Sequence, residues 1–248
     1  MIPGPRSAPA TPATEAVRFV LRLGRAFHIC GYPAHRVEQV MGQAAALVRL
    51  EGQYFTTPTV IIASFGSDDQ PSTHLLRIEP GDVHLERLNR LDAVLIDVRA
   101  KRLTPEQALA EVDRIITSKP RYGPLLTTFA YGLASAASGR ILGAGWRGVA
   151  AAAVIGVVVG LLIQLAGPRP AMRRVLVPLV GFVASALATL AAHFVQPLSL
   201  YIVTLAGIIF LLPGLALATA VAEVSTDHLV SGTARLSGAI VTFIGGGA

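Results

Sequence analysis

Residues 208–237 read IIFLLPGLALATAVAEVSTDHLVSGTARLS, and this stretch decides what kind of protein the chain is. It begins as an apolar run typical of a membrane helix, which Pro213 and Gly214 interrupt. Glu223 and Asp227 follow, and they are the only acidic residues in the second half of the chain. A break in an apolar helix frees backbone carbonyls that lipid cannot hydrate, so breaks occur where protein or a water-filled cavity surrounds them. The stretch predicts either a transporter site or, more simply, a proline-kinked helix followed by a polar loop.

The distribution of charge divides the chain near residue 122. Residues 1–122 carry 15 Lys and Arg and 13 Asp and Glu, whereas residues 123–248 carry six Arg and two acids. A water-facing domain would expose far more charge than the second part has, so that part is expected to lie in a lipid bilayer. The chain has no basic stripe with interleaved aromatic residues, so nucleic-acid binding is not expected.

The N-terminal residues and the single cysteine exclude several classes of protein. Residues 1–14 are rich in proline and have no apolar segment typical of a secretory signal, so they predict a disordered tail. Cys30 is the only cysteine, which leaves neither a disulfide framework nor a Cys-based metal site within one chain. No histidine pair has the i, i+4 spacing of a zinc site, and no nucleophile–base pair is evident. We therefore expect no metal, no cofactor and no enzymatic activity.

Residues 15–122 predict a small α+β domain, which we place in the cytoplasm. Apolar residues recur at helical spacing in four segments. Two β-branched segments, 57–65 and 73–78, flank a turn-rich sequence and predict a β-hairpin. Residues 104–107, TPEQ, have the pattern of a capping box at a helix start. A domain of about a hundred residues is long enough to bury its own core.

Five apolar spans are predicted in residues 123–248, judged against the roughly 20 residues that a helix needs to cross a bilayer. They cover about 124–140, 147–167, 175–195, 197–222 and 229–248. The last span reaches the final residue, for which we expect either an incomplete chain or a partner that follows directly. Gly156 and Gly160 form a GxxxG pattern, which permits close helix packing in lipid, whether static or sliding. The fold class is therefore an α-helical integral membrane protein with a five-helix bundle behind the α+β domain.

Arginine positions orient the spans. Cytoplasmic loops are enriched in Lys and Arg, which places the basic N-terminal domain and the loop with Arg169, Arg173 and Arg174 in the cytoplasm. Arg140 and Arg147 then lie outside. We expect a multi-pass protein of the plasma (inner) membrane, with its N-terminus in and its C-terminus out.

Several short motifs resemble a known family by their order and spacing. They are Gly31, Arg36, Val37 and Glu38, the hairpin beginning near Pro58, Tyr122 to Pro124, Gly145, Trp146 and Gly148, Leu212 to Gly214, Asp227, and Ser231, Gly232, Ala234 and Arg235. Together they are similar to the N-terminal half of the threonine/serine exporter family. The resemblance implies proton-driven export of threonine and serine, or of dicarboxylates such as succinate, across the bacterial inner membrane. It also implies a second membrane half, fused or separate, and hence a homo- or hetero-oligomer.

The interrupted stretch supplies the candidate site residues. Those assigned to substrate binding or translocation are Pro213, Gly214, Ser231, Gly232 and Arg235. A broken helix offers free carbonyls and a helix N-terminus to an ammonium and a carboxylate, and an arginine can receive a carboxylate. Glu223 and Asp227 are the candidates for proton coupling or a gate, because carboxylates in a partly dry cavity titrate nearer neutrality. In the simpler interpretation the acids belong to a solvated loop and Arg235 reaches lipid phosphate.

These features favour half of a proton-coupled secondary transporter that exports small polar metabolites. The alternative is a membrane-anchored sensor or assembly protein whose soluble domain is the working part. That alternative predicts that residues 15–122 bind a ligand or partner and that the spans can be exchanged for others.

Overall fold

The computed structural model of the chain describes residues 12–66, 71–79, 81, 83–166, 170–195 and 198–247. Its elements are α1 (Pro12–Ile29), α2 (Ala34–Leu47), β1 (Gly52–Thr57), β2 (Val60–Phe65), β3 (Ser72–Arg77), α3 (Leu85–Arg99), α4 (Pro105–Thr117), α5 (Pro124–Ile141), α6 (Trp146–Ala166), α7 (Pro170–Phe194), α8 (Leu200–Gly207), a 3-10 turn (Ile209–Leu211), α9 (Gly214–Ser225) and α10 (Leu229–Gly247). Residues 1–11 of the expected tail, Arg169, and the side chains of Arg173 and Arg174 lie outside the described residues.

Residue contacts divide the chain into two units, and the division does not follow the sequence. The first unit joins Met1–Lys119 to Thr219–Arg235, and the second joins Pro120–Ala218 to Leu236–Ala248. The end of α9 and the start of α10 therefore belong to the N-terminal unit. Sequence periodicity alone assigns this segment to the membrane half.

The N-terminal unit is built from α1 to α4 and a three-stranded sheet. Phe19, Phe27, Met41 and Leu91 are fully buried members of one core, to which all four helices and the sheet contribute. Burying one such side chain contributes on the order of 1.5–3 kcal/mol, so the apolar faces of the helices decide the fold of the unit. The four helices predicted from apolar spacing are confirmed.

The sheet is an antiparallel meander in the order β1-β2-β3. The predicted hairpin is confirmed as β2 and β3, which pair with Ala63 opposite His74. Strand β1 was not predicted, and it pairs with β2 so that Thr56 lies opposite Ile61. In the sequence of β1 the two aromatic residues Tyr54 and Phe55 are adjacent and the fully buried residue is the polar Thr56, so the apolar–polar alternation that identifies a strand in a sequence is missing.

The capping box predicted at residues 104–107 is confirmed at the start of α4. The Thr104 hydroxyl accepts the backbone N–H of Gln107 at 3.3 Å, and the Gln107 side chain accepts the N–H of Thr104 at 2.9 Å. Two donors at the helix N-terminus are thereby satisfied.

The second unit places small residues inside and large apolar residues outside. Its core centres on Ile155, Val159, Ala184, Ala188 and Val203. On the surface, Leu125, Phe182 and Leu165 are 87%, 73% and 71% exposed. Water would disfavour such a surface, whereas lipid tails solvate it, and small residues let helices approach where no hydrophobic drive acts between them.

The GxxxG pattern on α6 is a packing site against α5. A Cβ at Gly160 would lie 2.8 Å from the Tyr131 ring, and one at Gly156 would overlap the Ser135 hydroxyl. Any side chain at either position would push the two helices apart. The close packing expected from the pattern is therefore confirmed.

Two helices of the described residues are long and apolar enough to cross a membrane, namely α6 and the segment Leu176–Phe194 of α7. The pair Leu200–Gly207 and Ile209–Ser225 meets the same test jointly, but it is bent by 53° and is either one broken span or a re-entrant loop. Helix α5 does not meet the test, and the apolar part of α10, Leu229–Ile244, is shorter. The five-helix bundle thus remains a prediction, with two or three spans identified by length and composition.

The expected helix break lies in this bent pair. Helix α8 ends at Gly207, one 3-10 turn follows, and α9 begins directly after Pro213. The break therefore starts about two turns before the Pro-Gly pair that indicates it in the sequence. Proline preceding a first helical turn costs no hydrogen bond, which explains why the chain resumes a helix at Gly214.

Candidate functional site

The residues with the richest chemistry meet in the N-terminal unit, at a segment that we call the corner (residues 223–235), where α9 turns into α10. The turn is a Schellman motif: His228 N–H donates to the Glu223 carbonyl at 2.9 Å, and Asp227 N–H donates to the Val224 carbonyl at 3.2 Å. Asp227 has a φ of 63°, a left-handed conformation that aspartate tolerates better than most residues. The left-handed conformation of the turn is therefore by itself a structural explanation for an aspartate at position 227.

The carboxylate of Glu223 is fully buried and held by three donors. Oε1 accepts the backbone N–H of Ala34 at 2.9 Å and Nη2 of Arg235 at 3.1 Å. Oε2 accepts Nε of Arg235 at 3.0 Å. Both contacts come from one edge of the planar guanidinium, a two-point geometry that holds a carboxylate strongly. A charge inside a protein is tolerated only with such partners.

The contact with Ala34 is a helix cap supplied from a distant part of the chain. Helix α2 starts after Pro33, has no side-chain cap and has no acidic residue in its first turn. The free N–H groups and the positive end of the helix dipole at such a start favour an anion. Glu223, 189 residues away in sequence, provides that anion.

A second contact joins the corner to α2 through Glu38 and His228. His228 Nε2 lies 3.1 Å from Glu38 Oε2, and Nδ1 lies 2.7 Å from the Thr226 carbonyl. Both ring nitrogens face acceptors, so only an imidazolium can donate to both. Burial disfavours the charge, but the hydrogen bonds to Glu38 and Thr226, with the nearby charges of Glu38 and Glu223, raise the pKa of His228 above its ordinary value.

Burial favours the neutral form of two further histidines near the corner. Burial lowers the pKa of His35, and the neighbouring His228 and Arg36 lower it further. The His35 and His228 rings lie 5.6 Å apart, and their surroundings shift the pKa values of these two like groups in opposite directions. Burial also lowers the pKa of His28, whose Nε2–H donates to the Thr57 carbonyl at 2.8 Å.

A third set of contacts satisfies the outward-facing backbone groups of one residue on the β1 edge of the sheet. Thr56 lies on the edge strand β1, and its N–H donates to Glu38 Oε1 at 2.7 Å. The Thr56 carbonyl accepts the hydroxyl of Ser231 at 2.8 Å. Thr56 is 1% exposed, so without this bond its carbonyl would be buried unpaired. Glu38 thus bonds the edge strand and the corner with its two oxygens.

A cavity of about 370 Å³ opens beside these contacts. It is lined by Glu38, Phe55, Thr56, Asp227, His228, Leu229, Val230 and Ser231. Its volume is near the lower end for sites that bind small molecules. Its lining residues carry two carboxylates, an imidazole and two hydroxyls, which is a set of groups that can exchange protons with water or hold a small polar molecule.

The structure brings together some of the predicted site residues and separates others. Glu223 and Arg235 are paired, and Asp227 and Ser231 line the cavity beside them. Gly232 is where α10 crosses α9: a Cβ there would lie 2.5 Å from the Val224 side chain and 3.0 Å from the Ala220 carbonyl. Pro213 and Gly214 belong to the second unit, at the opposite end of α9 from Glu223.

Glu38, His228, His35 and Thr56 are the members of this site that the sequence analysis did not assign. The one available signal was the motif that contains Arg36 and Glu38. These residues are two apart on a helix, so their side chains do not face each other, which suggests that each has a partner elsewhere. Among the described residues, no group of three His, Cys, Asp or Glu side chains is placed to hold a metal ion.

Two or three candidate membrane spans, one of them bent, and a buried ion pair near the end of the bent one are features of an integral membrane protein. The family model described as "Putative threonine/serine exporter" (ThrE) matches residues 18–248. The chain therefore belongs to the threonine/serine exporter family, as the sequence motifs indicated.

The chain is also similar to curated fungal proteins. It is 27% identical to "Uncharacterized protein C7D4.12c" of Schizosaccharomyces pombe over 232 residues, which cover 90% of this chain and 30% of that protein. Pheromone-regulated membrane protein 10 of Yarrowia lipolytica is 26% identical over 233 residues, covering 90% and 19%. The Kluyveromyces lactis protein of the same name is 32% identical over 148 residues, covering 58% and 16%. The chain spans less than a third of the length of these relatives. No solved structure matches it.

Proposed function

We propose that this chain forms half of a proton-coupled secondary transporter that exports small polar metabolites across the plasma (inner) membrane. Threonine and serine are the first substrates to test, and dicarboxylates such as succinate the second. Family membership supports transport as the general function. The observation that carries the finer proposal is the buried pair of Glu223 and Arg235 at the end of a bent apolar helix pair.

The pair suggests how a carboxylate substrate and a proton are coupled. Arg235 and the N-terminus of α2 together hold one carboxylate, that of Glu223. The same donors suit the carboxylate of an amino acid or a dicarboxylate. Export against inward proton flow requires that the proton and the substrate occupy the site in turn. The ammonium of an amino acid can bind the charged carboxylate of Glu223 while its carboxylate binds Arg235. A proton that neutralises Glu223 then removes the partner of the ammonium and releases the amino acid, and loss of the proton restores the internal pair.

Glu38, Asp227 and His228 are suited to deliver that proton. They line the cavity beside the corner, and Asp227 and Glu38 are acids next to a histidine whose charged form is favoured. Proton relays commonly combine carboxylates and histidine in this way. In this scheme Pro213 and Gly214, at the helix break, contact the substrate farther along its path.

The topology of the proposal follows from the same contacts. Because the corner and residues of the N-terminal domain form one unit, the proposal puts both on one face of the membrane. We place that face in the cytoplasm, with Arg140 and Arg147 outside. A second membrane half, in this polypeptide or in another subunit, would pack on exposed apolar surfaces such as the groove of about 310 Å³ between α5 and α6.

The test is transport by vesicles that contain the full chain together with a second membrane half. We expect an imposed proton gradient to drive efflux of labelled threonine or serine, and Glu223→Gln and Asp227→Asn to reduce it. Glu51→Gln, an exposed acid of the same unit, is the matched control. Gradient-independent exchange of labelled for unlabelled substrate shows whether each variant is folded.

Wild-type gradient-driven flux in both Glu223→Gln and Asp227→Asn would overturn the coupling scheme. A protein whose membrane helices can be replaced without loss of function would instead support the sensor or assembly protein.

A further inference from the structure

A groove on the outer surface of the N-terminal unit, away from the corner contacts, has a separate chemistry. It lies between α1 and β3 and has a volume of about 650 Å³. Its basic residues are Arg18, Arg22, Arg25 and His74, and its other lining residues are Thr14, Val17, Leu21 and Leu76. The volume is within the range of sites for small organic ligands.

The three arginines form one row along α1. Positions 18, 22 and 25 share one face of a helix, and the row is about 10 Å long at the helical rise per residue. Like charges at these spacings repel, so the row is not explained by helix stability. The inner face of α1 is already occupied by Phe19, which is fully buried in the core.

The structure provides little negative charge to balance this row. Arg22 Nη2 lies 3.7 Å from Asp113 Oδ2, which is an ion-pair distance but longer than a hydrogen bond, and both side chains are about half exposed. Within the part of the chain that the structure describes, no acidic side chain pairs with Arg18 or Arg25. Two guanidinium groups are thus left to bind an external anion.

We propose that α1 and β3 form a binding site for an anion that carries phosphate groups, held by Arg18, Arg22 and Arg25 beside His74. Phosphate oxygens accept the forked N–H donors of arginine two at a time. A row about 10 Å long suits a diphosphate, or a phosphate with a second polar group, better than a single carboxylate. Val17, Leu21 and Leu76 provide an apolar surface for the rest of the ligand.

This chemistry is shared by a soluble nucleotide and by the headgroup of an anionic phospholipid. Binding of the first would make the N-terminal unit a sensor of the metabolic state. Binding of the second would seat α1 against the membrane surface. In either case the site is independent of the Glu223–Arg235 pair, and its existence does not depend on the proposed transport mechanism.

The experiment is calorimetric titration of the detergent-solubilised full chain with ADP, and separately with dihexanoyl phosphatidylglycerol below its micelle concentration. We expect one probe to bind, and binding to weaken as salt is raised. Arg18→Gln/Arg25→Gln should weaken binding by about tenfold or more, because two charge-assisted contacts are lost. The control Arg99→Gln/Lys119→Gln removes the same charge from exposed positions outside the groove and should change affinity less than about twofold.

A preference for ADP identifies a soluble phosphate ligand, and a preference for the lipid identifies a headgroup site. The proposal is overturned if the wild-type chain binds neither probe at millimolar concentration. It is also overturned if both double variants weaken binding equally, because the attraction is then only that of net charge.

Discussion

Glu223 Oε1 lies 2.9 Å from the backbone nitrogen of Ala34, so a residue at the end of one apolar helix caps a helix of the N-terminal domain. The same carboxylate is bound at two points by Arg235 at the start of the next apolar helix. One fully buried side chain therefore ties three helices together. Loss of the Glu223 carboxylate is expected to lower both the stability of the fold and the rate of transport, and separate measurements distinguish these two effects.

Removing one partner of the buried pair should be strongly destabilising. Glu223→Gln leaves the guanidinium of Arg235, whose side chain is 18% exposed, without its counter-ion, and such a loss costs about 3–5 kcal/mol. Arg235→Gln should cost a similar amount, and the double variant less than the sum, because no charge is then left unpaired. Thermal unfolding of the detergent-solubilised chain measures all three.

The surface pair of Glu111 and Arg114 is the matched control for that cycle. It has the same bidentate geometry, but it lies on the exposed face of α4. Solvent screens such pairs, so Glu111→Gln should have a much smaller effect than Glu223→Gln. Equal effects of the two substitutions would contradict the account of Glu223 as a buried cap.

The hold of the corner on α2 should depend on pH through His228. The pKa of His228 in the folded chain is raised above 6.5, so the charged imidazole stabilises the folded chain fully below pH 6.5. This stabilisation is lost as pH rises through the raised pKa. His28 and His35 have folded pKa values lowered from 6.5, so their neutral forms stabilise above pH 6.5 and this is lost as pH falls through the lowered values. The corner is therefore expected to be held best near pH 6.5.

Hydrogen exchange at residues 226–232 measures this dependence between about pH 5 and 8, after correction for intrinsic exchange rates. Protection should decline on both sides of the maximum. His228→Gln should remove the decline on the alkaline side and leave the acid side in place. An unchanged alkaline decline in that variant would assign the pH dependence to another group.

The hydroxyl of Ser231 should contribute measurably to stability through the Thr56 carbonyl. Ser231→Ala leaves that buried acceptor unpaired, which costs about 1–3 kcal/mol. Ser225→Ala is the control, since its exposed hydroxyl bonds only to the Val221 carbonyl of its own helix. Equal unfolding temperatures for the two alanine variants would show that Ser231 does not hold the edge strand.

Gly232 should be intolerant of a methyl group on packing grounds alone. In Gly232→Ala the new Cβ meets the Val224 side chain at 2.5 Å and its backbone nitrogen at 2.9 Å, and overpacking of this kind costs about 1–3 kcal/mol. Gly238→Ala on the same helix meets nothing within 4 Å and should be neutral or stabilising by up to about 1 kcal/mol. If Gly232→Ala lowers transport without lowering stability, Gly232 has a role in transport beyond packing.

The sequence predicts those parts of the fold that depend on local signals. Apolar spacing identifies α1 to α4, and residues 104–107 identify a helix start, because each pattern lies within a few turns of chain. Strand β1 was missed because it is an edge strand with little alternation. The break in the bent helix was predicted too far toward the C-terminus, at Pro213 and Gly214, because only proline and glycine mark it in the sequence. In the structure helix α8 already ends at Gly207.

The candidate site could be predicted only in part, for a related reason. Glu223, Asp227 and Arg235 stand out because charge is rare in apolar sequence. Ala34, the partner of Glu223, and Glu38, the partner of His228, do not stand out. They lie in an ordinary soluble sequence, 189 and 190 residues from the groups that they contact. Which distant groups meet is decided by tertiary packing, and no local pattern encodes it.

The closure of strand β1 by Ser231 has a consequence for biosynthesis. The ribosome makes Thr56 first and Ser231 175 residues later, which at usual translation speeds is a delay of roughly 10–35 s. Throughout that time the carbonyl edge of the nascent sheet lacks its partner and can pair with strands of other chains. Chaperone binding to the nascent domain, and aggregation through the edge strand β1, are therefore favoured before the last apolar helix has been synthesised.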